Sequence, residues 1–439
     1  MIISSMLKEL KNKIISETGG TLNFSPELKK LFLSFFSANF AVMLSQGITG
    51  LIVARLVDPD DMGIFVSTSI ILTFIPLFLI GINNGLNRDL PYVLGQEKFD
   101  DAKEMRNTSI SFALIISIII FFIILIISIY FLMLGNYKLA YAFLSTTILS
   151  AVYPLTTMQE VTYRTNNEFL QLSRIKFYNV FTAVITILLV YYYNYYGMLV
   201  RSALITLVYV GFLYYLSSHK FKFGINWSVF RRLFKTGFPI AIVAYMYVVF
   251  IGLDKIFILK YFGTEAVGNF VPAIQVATAL TVLPTSIYQI IYPRMANRYG
   301  QTNSINSLKN LAFKPQILLA FGLIPLFVII ILCIGPFVEF VLPKYTAGIP
   351  AAKWMVLVIY FRCLGGPQDV LTVLGDLIPY AICTVICAFV FWIIVILLKD
   401  SGIGMQVVPI GLAISTFLFN FLISIYVFIL MKRENVYGR

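Results

Sequence analysis

Acidic residues, histidine and cysteine are scarce in this 439-residue chain: it holds 20 Asp and Glu against 33 Lys and Arg, one histidine and four cysteines. Cys383 and Cys387 share a helix face, but a zinc or iron centre needs further donors, and the lone histidine, His219, lies far from them in sequence. All four cysteines (Cys333, Cys363, Cys383, Cys387) fall in apolar stretches and read as small apolar side chains, so neither a metal nor a cofactor is expected. No paired acids and no nucleophile beside a base stand out, and no gap on the less basic side exceeds about 20 residues, which argues against an enzyme. Charged residues make up 12% of the chain and hydrophobic ones 59%, so the net charge of +13 belongs to a membrane chain and does not point to a nucleic-acid partner.

What is present is apolar sequence in lengths that cross a bilayer. A helix rising 1.5 Å per residue needs about 20 apolar residues to span roughly 30 Å of hydrocarbon. Twelve spans are predicted: Leu31 to Leu56, Ile64 to Asn87, Thr108 to Leu134, Leu139 to Val161, Phe177 to Tyr196, Met198 to Ser217, Phe238 to Leu259, Ala266 to Tyr292, Gln316 to Pro336, Pro350 to Leu371, Leu377 to Leu398 and Gln406 to Met431. The fold class is an all-α polytopic membrane protein.

Basic residues set the orientation. The N-terminal segment, every second gap and the C-terminal tail together carry 24 Lys and Arg, and the opposite gaps carry six. Basic loops stay in the cytoplasm, so the chain is expected to be multi-pass in the cytoplasmic (plasma) membrane with both termini inside. Attraction to anionic inner-leaflet lipid adds about 1 kcal/mol per surface cation. Residues 1–30 read as a short amphipathic interfacial helix (Ile3, Met6, Leu7, Leu10, Ile14 between lysines) and not as a secretory signal.

The longest basic gap divides the spans into six and six. The expected organisation is a cytoplasmic segment 1–30, a bundle 31–217, a basic linker 218–235, a second bundle 236–431 and a tail 432–439. Within the linker, Trp227 to Phe234 (WSVFRRLF) puts Trp227, Phe230, Leu233 and Phe234 on one face, as an interfacial helix would. Sliding the chain on itself by 205 residues superimposes Gly47, Gly63, Phe65, Val66, Thr73, Ile82, Gly95 and Gln96 on Gly252, Gly268, Phe270, Val271, Thr278, Ile287, Gly300 and Gln301. Spans 1 and 7 run the same way, so this is a parallel repeat about an axis along the membrane normal. The turn Asp58-Pro59-Asp60-Asp61 offers an N-cap, a proline at N1 and first-turn acids, with Gly263-Thr264-Glu265 as its counterpart.

Two stretches resemble a known family. Ile52 to Phe65 (IVARLVDPDDMGIF) resembles the first-loop signature of the polysaccharide-export flippases, with Phe65 where that pattern has tyrosine. Thr236-Gly237-Phe238-Pro239, then Gly252 to Gly263 (GLDKIFILKYFG) and Val267-Gly268, are similar to the same family's seventh span. The wider superfamily also holds multidrug exporters. The resemblance implies a V-shaped pair of six-helix bundles around a central cavity. It also implies movement of a prenyl-diphosphate-linked oligosaccharide, in contact with membrane lipid, from the inner to the outer leaflet by alternating access, with H+ or Na+ as a candidate coupling ion. Two competing readings are a drug or cation antiporter of the same superfamily and a membrane polymerase or ligase of lipid-linked sugars.

Ionisable residues inside spans are costly and face a cavity or a partner. Asp254 and Lys255 lie about five residues from the outer end of span 7, some 7 Å deep by helix rise, and cannot face each other. Asp254 is a candidate for the cavity or for a pair with a basic residue of another helix. Lys255 either lines the cavity or snorkels outward. Arg55 ends span 1 and either reaches the interface or binds a diphosphate through paired hydrogen bonds. Arg362, in the middle of span 10, faces the cavity as a headgroup ligand or pairs with Asp369. Asn83, Asn84, Asn87, Arg88 and Asp89 form a polar end to span 2, with Gln289 at comparable depth in span 8; such amides bind sugar hydroxyls or join helices. Glu160 and Arg164 are spaced for an i,i+4 ion pair, and Tyr191, Tyr192, Tyr193, Tyr195 and Tyr196 for an interfacial aromatic belt.

Overall fold

The computed structural model describes residues 26–437 apart from 167, 219–220 and part of the stretch 282–300. Most of the expected N-terminal amphipathic segment, His219 and Gln289 lie outside the described residues. Among the described residues there is no strand. In the first half run α1 (Pro26–Leu56), α2 (Pro59–Ser69), α3 (Ile82–Gly95), α4 (Phe99–Met133), α5 (Tyr137–Thr165), α6 (Phe169–Ile185) and α7 (Ile187–Tyr215). The second half holds α8 (Trp227–Asn269), α9 (Val271–Leu280), α10 (Lys309–Gly322), α11 (Ile324–Val341), α12 (Ile349–Arg362), α13 (Gly366–Leu374), α14 (Leu377–Leu398) and α15 (Val407–Tyr437).

Eight described helices are long and apolar enough to cross a membrane, and a ninth span is the pair Pro343–Arg362 and Gly366–Leu374, bent by 48°. Expected spans 1, 5 and 8 account for the rest. Span 1 is α1, of which Ala41–Leu56 is apolar, and span 8 begins at α9. Span 5 is divided: α6 passes through Thr186 into the start of α7, and the chain turns back at Asn194, where φ is +46°. Gly197 then passes against that first turn, where a Cβ would lie 1.9 Å from the Leu189 carbonyl oxygen.

Three expectations change. The linker's WSVFRRLF segment is not a separate interfacial helix: Asn226 caps it by accepting from the Ser228 and Val229 amides, and the helix continues from Trp227 into span 7. The helix breaks at Gly263, with φ +82°, and Thr264 opens span 8 as Pro59 opens span 2. Asp58 occupies the N-cap position with an extended backbone, but its carboxylate makes no cap bond and pairs instead with Lys344 of the other half at 2.7 Å. Near the opposite end, the Tyr209 hydroxyl donates to the Glu160 carboxylate and Arg164 Nε donates to the Glu160 carbonyl, in place of the expected carboxylate pairing.

In the first bundle α4 packs on α5, α1 on α6 and α5 on α7. In the second, α12 and α14 pack on α15, and α9 on α12. The halves meet along a seam in which α8 lies against both α2 and α3. Close backbone approach makes that seam. A Cβ on Gly63 would sit 2.1 Å from the Thr264 carbonyl oxygen, and one on Gly268 would sit 1.8 Å from that of Pro59. These are reciprocal positions of the 205-residue repeat, so the two halves grip each other through equivalent glycines about a local two-fold axis. Further along, a Cβ on Gly237 would meet the Gly81 carbonyl oxygen at 2.0 Å, and one on Gly85 that of Leu233 at 2.2 Å. Small residues allow such contacts because lipid tails supply no hydrophobic drive between helices.

The chain joining the halves is tied to the first bundle. The Lys222, Gly224 and Asn226 amides donate to Asn107, Ser111 and Thr108 of α4, and the Asn226 side chain donates to Glu104. Outward faces carry exposed apolar side chains such as Ile119, Phe122 and Ile126 of α4 and Ile382, Ile386 and Phe389 of α14, as a lipid-facing surface requires. Gly63→Val should lower the unfolding midpoint of the detergent-purified protein by ~5 °C, since a packed backbone carbonyl cannot yield to a new side chain. Gly47→Ala, in open space, should leave the midpoint unchanged or raise it.

Candidate functional site

The second bundle contains a helix broken at depth. α12 ends at Arg362, and Gly365-Gly366-Pro367 prevents the helical bond pattern from continuing into α13. Three carbonyls near the break are satisfied by side chains of other spans: Phe361 accepts from Asn420 at 2.8 Å, Cys363 from the Tyr288 hydroxyl at 2.6 Å and Leu364 from Gln316 at 2.9 Å. Gln316 also donates to Ser424. Non-helical backbone inside a membrane survives only with such partners or beside a cavity.

Charge gathers at this break. The Arg362 guanidinium sits at the carboxyl end of α12, where the helix dipole is negative. It lies within electrostatic reach of Asp254 on α8 and of Tyr247, and among the described residues its Nε bonds neither Asp254 nor the expected Asp369. Asp254 is buried at 7% exposure, and its Oδ1 accepts the Lys255 amide at 2.7 Å. It lies deeper than expected: the helix runs on to Phe262, which puts Asp254 about 12 Å from its end by helix rise. Asp369, in the first turn of α13, is within reach of Tyr288 and Tyr380. Among the described residues, Arg362 Nε, Asp369 Oδ2 and Gln368 Oε1 are buried without a hydrogen-bond partner. Tyr247, Tyr380 and Phe419 form an aromatic wall beside them, with ring centroids 5.5–5.9 Å apart. A fixed cation, two acids and unused polar atoms in a low-dielectric interior can hold and release a charged or hydrogen-bonding group. They offer no nucleophile and base for covalent chemistry.

The other candidates lie elsewhere. Asn83 and Asn84 are half-buried at the start of α3, and Asn83 accepts from the Tyr245 hydroxyl at 3.5 Å, a helix-to-helix contact across the seam. Asn87 and Arg88 are exposed, and Asp89 pairs with Arg232 at 3.2 Å and accepts from Thr236. Arg55 is exposed in the last turn of α1. The Lys255 side chain is half-buried, and Gln289 lies outside the described residues. So the structure brings Arg362 within electrostatic reach of Asp254, sets Asn83 in the seam, and leaves Arg55 and Arg88 on the surface. Tyr288, Gln316, Gln368, Asn420 and Ser424 were missed. The signal for them was the Gly-Gly-Pro interruption of span 10, which marks a broken membrane helix.

The end of the molecule that carries Asp58 and Lys344 is closed. Besides the glycine contacts and the Asp58–Lys344 pair, the buried Tyr345 hydroxyl donates to the Val57 carbonyl across the halves at 2.9 Å. Asp61 pairs with Lys138 at 2.5 Å within the first bundle.

A family described as polysaccharide biosynthesis protein matches residues 52–346. No curated protein sequence matches the chain. Among solved structures, an inward-facing multidrug resistance MATE family transporter of the MOP superfamily is similar with a TM-score of 0.73 at 14% identity, covering 91% of this chain and 96% of that one. The outward-facing form of such a transporter scores 0.63 at 14% identity over 92% and 96%. A MOP superfamily transporter from Pyrococcus furiosus, whose binding pocket is described as reversed in polarity, scores 0.63 at 14% identity over 92% and 94%. These likenesses establish the fold: a transporter-type bundle of about twelve membrane helices.

Asp254 and Arg362 lie within electrostatic reach of each other, so neutralising one leaves the other less compensated. Asp254→Asn and Arg362→Gln should each lower thermal stability in detergent more than the double variant does per site, with a coupling of about 0.5–3 kcal/mol. Additive losses would show that the two charges do not interact.

Proposed function

Since the chain belongs to the polysaccharide biosynthesis protein family, of flippase type within the MOP superfamily, we propose that it moves a prenyl-diphosphate-linked oligosaccharide from the inner to the outer leaflet by alternating access. The observation that carries this reading is the half-buried Arg362 in the second bundle, whose Nε is buried without a hydrogen-bond partner among the described residues. A guanidinium stays charged in a dry site and binds phosphate oxygens through two parallel bonds, which suits a diphosphate headgroup. Unused amide and carboxyl oxygens of Gln368 and Asp369, and the tyrosines around them, supply the hydrogen bonds and stacking faces that sugars need. The headgroup and glycan pass through the polar interior while the prenyl tail stays in lipid.

The closed Asp58–Lys344 end supports an inward-open resting state, because the positive-inside distribution places that end outside the cell. The protein would then reside in the plasma membrane with both termini cytoplasmic. With 100 mV inside negative, outward movement of two uncompensated negative charges gains about 4.6 kcal/mol. Arg362 travelling with the headgroup would cancel part of that gain, and exchange of H+ or Na+ would then supply the difference.

One observation favours a second reading. The buried Asp254 and the half-buried Asp369, whose Oδ2 is buried and unpartnered among the described residues, suit exchange of a cation for a drug. Deletion of the gene separates the two. Accumulation of glycan-linked lipid in the inner leaflet, restored by the wild-type gene and not by Arg362→Gln, is the expected result. Normal surface glycan with new drug sensitivity would favour the antiporter.

A further inference from the structure

An apolar groove of about 380 Å³ runs along the flank of the molecule, between the halves. Its floor is one stripe of α8, comprising Phe238, Ile242, Tyr245, Val249 and Leu253. Leu77 and Ile80 of span 2 form one wall, and Thr384, Val385 and Ala388 of α14 form the other. The groove exists because span 2 is not a continuous helix here: a 3-10 turn at Ile70–Thr73 and a short helix at Ile75–Phe78 lead to Ile80 and Gly81, with φ of +43° and +81°. Phe238, Ile242, Leu77 and Val385 are 37–55% exposed on this flank.

The stripe continues beyond the groove. Stepping back from Phe238 by three and four residues at helical spacing leads to Lys235 and Arg231, and then toward Trp227. All three are exposed, and no ion pair or hydrogen bond to the side chain of Arg231 or Lys235 occurs among the described residues. The neighbouring Arg232, off this stripe, is already held by Asp89. An exposed tryptophan and two free cations mark the level of lipid headgroups, and the groove descends from that level into the hydrocarbon. Charge therefore selects an occupant with an anionic head and an apolar chain.

Length selects among such lipids. Fifteen helical residues from Phe238 to Leu253 extend about 22 Å, whereas one leaflet of hydrocarbon is about 15 Å deep. An ordinary acyl chain ends near the midplane. A polyprenyl chain does not, and it can follow the groove into the opposite leaflet.

We propose that this groove is the track of the substrate's isoprenoid tail, with Arg231 and Lys235 receiving its phosphate at the inner surface before the headgroup enters the interior. This rests on the flippase reading above and assigns the lipid half of the substrate a site on the protein. It also gives the seam a role: the tail lies where the two halves pack, so it can stay bound while the headgroup moves.

The test uses full-length protein in nanodiscs of zwitterionic lipid and a long-chain polyprenyl diphosphate carrying a benzophenone on its tail but no glycan. Photolabelling should map to peptides containing Ile242 to Leu253 and to Val385, and unlabelled polyprenyl diphosphate should compete while dioleoyl phosphatidic acid should not. Ile242→Trp, which fills the groove from an exposed position, should abolish labelling. Arg231→Gln with Lys235→Gln should raise the half-saturating probe concentration by about fivefold for each cation removed. Equal competition by phosphatidic acid, labelling confined to other helices, or unchanged labelling of Ile242→Trp would overturn the proposal. Flipping by a protein whose groove does not label refutes the groove alone, and a labelled groove in a protein that does not flip refutes the transport reading alone.

Discussion

Inside hydrocarbon a backbone amide or carbonyl has no water to turn to, and that single constraint organises this molecule. Wherever the chain is regular, the helix satisfies it at no cost to other residues. Wherever the chain breaks within the membrane, side chains from elsewhere must be committed. The carbonyls of Phe361, Cys363 and Leu364 recruit Asn420, Tyr288 and Gln316 from three different spans. Those commitments concentrate polar groups at one depth of the second bundle, and Arg362, Asp369 and Gln368 with unused bonding capacity lie there. The polar interior of the second bundle is thus built around a defect in a helix.

The same constraint shapes the seam. Two helices can approach backbone to backbone only where Cβ atoms are missing, and reciprocal glycines at the repeat positions 63 and 268 provide that approach about a local two-fold axis. Gly81, Gly85 and Gly237 repeat the device nearer the chain termini without being repeat partners. The two-fold relation therefore holds tightly at one end of the seam and is replaced by other contacts at the other. The exposed Asp58–Lys344 pair is of the class that contributes about 0–1 kcal/mol. Opening of that end must therefore break the glycine contacts and the buried Tyr345–Val57 bond, against which the exposed pair counts for little.

The two apolar surfaces differ in kind. Lipid-facing side chains of α4 and α14 are scattered over convex faces, as the solvent requires. The groove beside α8 is concave, lies between the halves and points toward Arg231 and Lys235, which are exposed and without a side-chain partner among the described residues. Concavity and terminal charge turn an apolar surface into a recognition surface.

Span number, the division into halves, the repeat and the turn between spans 1 and 2 were legible in the sequence, because hydrophobic length, loop charge and glycine spacing are local or periodic quantities. Intramembrane charges were also legible as exceptions, since an ionisable residue in an apolar run is conspicuous whatever it touches. Their grouping was not. Only the tertiary fold brought Arg362 within electrostatic reach of Asp254 and left Arg55 and Arg88 on the surface. Likewise, the continuity of Trp227 to Phe234 with span 7 depends on the Asn226 cap and the ties from the linker to α4, which no hydrophobic pattern encodes. A sequence records which residues must avoid lipid; which of them then meet is decided by helix packing, because partners in a membrane bundle come from spans far apart in the chain.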